Sequence, residues 1–172
     1  MATTYTLISS VTVGSGGAAN IEFTSIPNTY TDLLLKVSGR SSRTGAVQEE
    51  FRLSFNNNTS GYSDRQLRGS GSTAISQSWT SQANIQSFGQ PGAGATANTF
   101  SNWEIYIPNY ASSNNKSVSL DGVTENNATE AYSYLAAALW ANSSAITSIK
   151  IDGNGYNLVQ YTTAYLYGIS NA

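Results

Sequence analysis

Apolar and polar positions alternate along most of this chain. Phe51, Leu53 and Phe55 fall on one side of an extended backbone, and Glu50, Arg52 and Ser54 on the other. That period of two is the pattern of a half-buried strand. Trp103, Ile105 and Ile107 alternate in the same way with Asn102, Glu104 and Tyr106, until Pro108, which cannot donate to a ladder, ends the run. Leu33, Leu35 and Val37 repeat the pattern, as do Ile149 and Ile151. Tyr161, Thr163, Tyr165, Tyr167 and Ile169 read as one face of a long final strand, rich in the branched and aromatic side chains that pack well on a pleated surface. The segment Ala131 to Trp140 carries helix-favouring alanines and leucines. Its Tyr132, Tyr134, Ala136, Ala138 and Trp140 also alternate, so we read it as a strand.

Turn chemistry separates these runs. Gly14 to Gly17, Asn56 to Asn58, Gly69 to Gly71, Pro91-Gly92, Ser112 to Asn115 and Asp152 to Gly155 are rich in glycine and asparagine, which accept positive φ. Gly89 to Ala97 reads as one long loop of small residues. Roughly ten short strands at this spacing predict an all-β, antiparallel β-sandwich or jelly roll. A single domain over residues 1–172 is expected, with Met1 to Tyr5 as an N-terminal arm that orders on binding. There is no internal repeat and no linker.

Composition narrows the chemistry. The chain has neither histidine nor cysteine, and charged residues make up only 10% of it. An imidazole base, a thiolate and a soft metal ligand are therefore all lacking. A formal net charge of -2 gives no field to attract nucleic acid or an anionic membrane, so neither is expected as a partner. No run approaches the ~18 apolar residues of a membrane helix, and no signal segment follows Met1, so synthesis in the cytoplasm is expected.

The remaining catalytic options are thin. A serine nucleophile would need Lys36, Lys116 or Lys150 as its base, and none sits in a serine-lysine motif. Glu22, Glu50, Glu104 and Glu130 are candidates for a pair of hydrolytic carboxylates, but each reads as the polar face of a strand. Asp152-Gly153-Asn154, and Asp121 with Glu125 and Asn126, offer oxygen ligands for calcium, but the first string reads better as a plain turn between two strands. The expectation is a protein that is not an enzyme, with no cofactor and no metal. Trp103 and Trp140 read as core, whereas Trp79 lies in a polar stretch and reads as exposed. Arg40 with Arg43, and Arg65 with Arg68, form two small basic pairs. These four arginines and Trp79 are the candidate protein-interface residues.

Several strings, taken in order, point further. They include Tyr5-Thr6-Leu7-Ile8, the run Ile26 to Leu33 followed by Ser38-Gly39-Arg40, and Asn98 to Ser101 leading to Glu104 through Tyr110. Glu125 to Thr129, Leu139 to Asn142, Ala145 to Ile149 and Tyr165 to Ile169 complete the set. Together they resemble a family of small virion structural proteins from tailed phages, particularly cyanophages and phages of other aquatic bacteria. The resemblance runs over nearly the whole chain. It implies a location in the virion and no catalytic residues. The expected role is a capsid decoration (cement) protein that bridges neighbouring major capsid proteins, on the capsid surface and as a homo-oligomer, with a trimer favoured. The alternative is a tail, baseplate or fibre component that binds a host glycan.

Overall fold

A computed structural model describes residues 4–127 and 130–170. The strands, in chain order, are β1 (Tyr5–Thr12), β2 (Asn20–Phe23), β3 (Asp32–Ser38), β4 (Gln48–Glu50), β5 (Arg52–Phe55), β6 (Tyr62–Gly69) and β7 (Ala74–Gln82). They continue with β8 (Gly89–Pro91), β9 (Asn102–Ile107), β10 (Lys116–Val123), β11 (Ser133–Trp140), β12 (Ile149–Asp152) and β13 (Thr163–Ile169). No helix occurs among the described residues.

One large antiparallel sheet holds eight strands in the order β1-β13-β3-β9-β10-β11-β6-β7. The opposite layer is made of a three-stranded sheet, β2-β12-β5, and a two-stranded one, β4-β8. The protein is thus an all-β, antiparallel sandwich, as its alternation predicts. The jelly-roll form finds no support in this order, because eight strands share one layer while five lie opposite.

The predicted faces are those that point inward. Leu33, Leu35, Val37, Trp103, Ile105 and Ile107 line the inner face of the large sheet, and Ile149, Ile151, Leu53 and Phe55 come from the smaller one. The ambiguous alanine-rich segment is strand β11, and its small Ala136 and Ala138 sit buried between Tyr134 and Trp140. Trp140 reaches the opposite layer at Phe55, 5.6 Å between ring centroids, and stacks on Tyr62 at 6.1 Å. The Trp140–Phe55 contact, worth about 1 kcal/mol beyond burial, links the two layers, and the stack on Tyr62 of neighbouring β6 holds Trp140 in place for it.

Three boundaries differ from expectation. The final strand begins at Thr163, because Tyr161 adopts a left-handed φ of 71° and stands in solvent. Its tyrosine face is the outward one, while Ala164, Leu166 and Gly168 face the core. Gly168 has to be glycine, since a Cβ there would lie 2.3 Å from the ring of Tyr30. Gly89 to Ala97 is not loop throughout: Gly89–Pro91 pair with Gln48–Glu50 as β8 and β4. Tyr5, placed in the N-terminal arm by the sequence, pairs with Ile169 in β1. Thr4 of that arm accepts from the Ser170 amide (3.1 Å), and Met1 to Thr3 lie outside the described residues.

The asparagine turn shows why that residue type sits there. Asn56 and Asn57 both have φ of 52°, a region asparagine tolerates. The side chain of Asn56 then accepts from the amides of Thr147 (2.8 Å) and Ser148 (3.0 Å) and donates to the Ala145 carbonyl (2.8 Å). One turn residue thereby fixes the entry into β12.

Candidate functional site

The structure separates the residues that sequence had paired. Arg40 is only 9% exposed and is a staple, not a contact residue. Its guanidinium donates to the carbonyls of Thr96 (2.8 Å), Thr99 (3.0 Å) and Ala95 (3.0 Å) and to Thr99 Oγ1 (3.1 Å). The planar fork suits this, because one rigid group satisfies several carbonyls of a loop with no ladder of its own. Arg43 stands outside, bonded to Glu49 at 2.7 Å and 5.3 Å from the ring centroid of Tyr156. The adjacent carboxylate of Glu49 raises its pKa further above the ordinary value. Arg65 and Arg68 are three apart on a strand and so point to opposite faces: Arg65 is exposed on the outer face, and Arg68 lies over Tyr132 at 4.7 Å. Trp79 is half-buried on β7, opposite Asp64.

One arginine of each pair does meet the other's neighbourhood. Arg43 and Arg68 line an open depression of about 340 Å³ together with Glu49, Glu50, Glu130, Tyr132 and Asn154. Its charges are largely spent internally, since Glu49 also accepts from Asn154 Nδ2 (3.0 Å) and from the Glu50 amide (2.8 Å). Burial, and then the charge of Glu49, push the Glu50 carboxyl up.

Beside this depression the inner face of β6 is polar where a sandwich is normally apolar. Asp64, Gln66 and Arg68 all point inward. Asp64 is 1% exposed and accepts from the Gln86 amide at 2.7 Å, yet burial still raises its pKa. A raised carboxyl holds its proton more tightly in the folded state than in the unfolded one, so the folded state loses stability as pH rises through that window. Asp64→Asn keeps an acceptor without the charge. We expect the wild type to lose stability relative to Asp64→Asn as pH rises from the ordinary aspartate value of about 4 toward neutrality. Urea titrations of both proteins across that range measure the difference, and parallel curves would contradict it.

The outer face of the large sheet is the most extensive feature. The registers align two rows that cross all eight strands. One runs Leu7, Tyr167, Leu34, Tyr106, Ser119, Ala137, Arg65 and Ser78. The other runs Ser10, Tyr165, Lys36, Glu104, Asp121, Leu135, Leu67 and Ser76. Leu135 is 60% exposed and faces Leu67, itself 53% exposed, with Val123 beside them on the same face. A second apolar area lies at the other end, where Tyr5, Leu34 and Tyr167 line a shallow depression of about 370 Å³ around the Lys36–Glu104 ion pair (2.9 Å). Sequence reasoning passed over Leu67 and Leu135. The available signal was β11 itself, whose Leu135, Ala137 and Leu139 make its second face apolar as well. A strand apolar at both parities has two faces to cover.

The candidate catalytic residues are scattered or committed. Lys36 is paired with Glu104, which raises its pKa. Lys116 is buried and donates from Nζ to the carbonyls of Ser112 and Asn114, closing the loop before β10; burial lowers its pKa. Glu22 accepts from Asn57 Nδ2 (3.1 Å). Of the four glutamates considered for hydrolysis, Glu50 and Glu130 do line one depression, while Glu22 and Glu104 lie elsewhere. Asp152 accepts from the Asn154 amide (3.0 Å), the bond of a plain turn, and Asp121 points out from β10, apart from Glu125, which accepts from the Asn127 amide (2.7 Å). In comparisons with known proteins, no family model matches the chain and no curated protein is significantly similar to it.

Proposed function

We propose that this protein is a non-enzymatic structural component of a tailed-phage virion, a capsid decoration protein that bridges neighbouring major capsid proteins. The observation that carries the reading is the outer sheet face, a broad strand surface on which Leu135 and Leu67 stand 60% and 53% exposed. Large apolar side chains grouped on one face of a soluble domain mark a surface meant to be covered. The sequence strings that resemble virion structural proteins supply the setting. A near-neutral chain suits packing on a lattice, because little charge repulsion opposes neighbouring copies, and many weak contacts add by avidity.

The test is immunogold electron microscopy of intact virions with an antibody to this chain. Label spread over the heads is the expected result. Label confined to tails would replace decoration with the tail or fibre reading, and particles without label would overturn both surface placements. In reconstituted heads, Leu135→Asp is expected to weaken binding at least about tenfold, the effect of placing a charge in an apolar contact, and unchanged binding would remove this face from the contact.

A further inference from the structure

The large sheet ends at β7, and the backbone of that strand is only half used. Ala141 N donates to Gly61 O (2.8 Å), which sets the phase of the β11–β6 ladder. Bonded pairs alternate along an antiparallel ladder, so Ser63, Arg65 and Leu67 spend their backbone groups on β11, and Asp64, Gln66 and Arg68 spend theirs on β7. At the hairpin, Ser70 N donates to Thr73 O (3.0 Å), and counting from there gives the same phase. Trp79, Gln77 and Ile75 are therefore bonded inward. Ala74, Ser76 and Ser78 turn both N–H and C=O to the open edge.

Open edges are normally guarded by charge, proline, a bulge or a covering loop. From Ala74 to Trp79 the β7 edge has no bulge, because the register shifts only beyond Trp79. No proline lies in it, and no charged residue occurs anywhere between Arg68 and Glu104. The side chains of Ala74, Ser76 and Ser78 are small and exposed, and no described strand pairs with β7 on its outer edge. The other end of the sheet is different: β1 is interrupted by a register shift between Leu7 and Ser9.

We infer that β7 is a strand-pairing edge whose occupant is β7 of a second copy, antiparallel across a two-fold axis at Ser76. The edge fits itself. With Ser76 opposite Ser76 of the second copy, Ala74 comes opposite Ser78 and Ser78 opposite Ala74, and every outward N–H meets an outward carbonyl. Uncharged strands bring no like charges together in this register. The row Leu135, Leu67, Ser76 then continues as Ser76, Leu67, Leu135 of the second copy, so both leucine pairs lie on one extended face. Trp79 falls opposite Thr73 of the second copy, which gives the sequence-predicted contact tryptophan a partner. The symmetry is two-fold because self-pairing is isologous; a three-fold ring would need β7 to meet β1, the edge with the bulge.

Sedimentation velocity on the full chain, with circular dichroism to report folding, tests this. Wild type is expected at twice the chain mass. Ser76→Pro removes an N–H that no intramolecular acceptor uses, and edge positions of that kind tolerate proline, so the variant should be a folded monomer. Ser76→Lys keeps the N–H and sets two ammonium groups face to face at the axis, and should weaken association at least about tenfold. Should Ser76→Pro unfold, Ser76→Lys decides alone. Ser119→Lys, on the same face in mid-sheet, should leave the dimer intact. A monomeric wild type, a trimer, or a Ser76→Lys protein as dimeric as wild type would overturn the inference. None of these results bears on the virion reading, which immunogold labelling tests separately.

Discussion

Trp103→Ala is expected to lower the unfolding free energy by about 4 kcal/mol, the middle of the range for deleting a buried aromatic side chain. Trp103 is 1% exposed and has three roles at once. Its indole N–H donates to the Gly89 carbonyl at 2.6 Å, tying β9 of the large sheet to β8 of the opposite layer. Its ring packs on Phe88 at 5.5 Å and on Tyr134 at 5.1 Å. It also covers its cross-strand partner Gly122, where a Cβ would come within 2.4 Å of the indole. Alanine would leave a cavity, an orphaned carbonyl and an uncovered glycine together. Trp103→Phe, which refills part of the volume but not the hydrogen bond, should cost about 2 kcal/mol. Urea denaturation followed by far-ultraviolet circular dichroism reads both values. A loss below about 1.5 kcal/mol for the alanine variant would mean that the surroundings collapse to fill the space.

Arg40→Met should destabilise the protein by about 3 kcal/mol, since it strips a charged donor from several acceptors at once. The methionine replaces the bulk of the side chain, so the effect isolates the guanidinium. Segment 95–99, which depends on Arg40 for four of its contacts, should become the first site of limited proteolysis. Arg40→Lys is not expected to rescue it, because a single ammonium cannot span carbonyls from Ala95 to Thr99. Cleavage kinetics of the three proteins under native conditions give the comparison, and equal protection in all of them would show that the loop holds itself.

These two residues also mark what the sequence made legible. Trp103 could be assigned to the core, because its neighbours Ile105 and Ile107 repeat at strand spacing and burial on one face is a local property. Arg40 looked like half of a surface pair with Arg43. Its burial depends on a loop more than fifty residues away, and no local pattern carries that information. The same reasoning separates Arg65 from Arg68: alternation along β6 already puts them on opposite faces, a consequence available once the strand is recognised. The short pairing of β4 with β8 was hidden because glycine and proline in β8 read as loop, and a three-residue strand has no period to detect. The outer face is legible in β11 alone: Tyr134 to Trp140 on one parity mark the strand, and Leu135 and Leu139 on the other mark a second apolar face.

The pairing of β1 with β13 has a consequence for how the chain is made. Among the described residues, β1 finds its strand partner only in β13, from Tyr5 with Ile169 to Thr12 with Thr163. On the ribosome, β1 must therefore wait, extended and unpaired, through the synthesis of nearly everything else. β13 in turn inserts between β1 and β3, so the large sheet closes by a late event and not by sequential growth. Long loop closures of this kind make folding slow and leave apolar strands exposed meanwhile. Hairpins β6–β7 and β10–β11, whose partners are adjacent in sequence, can form first and act as the template. Yield in a heterologous host should then depend on temperature and synthesis rate more than on the stability of the finished fold.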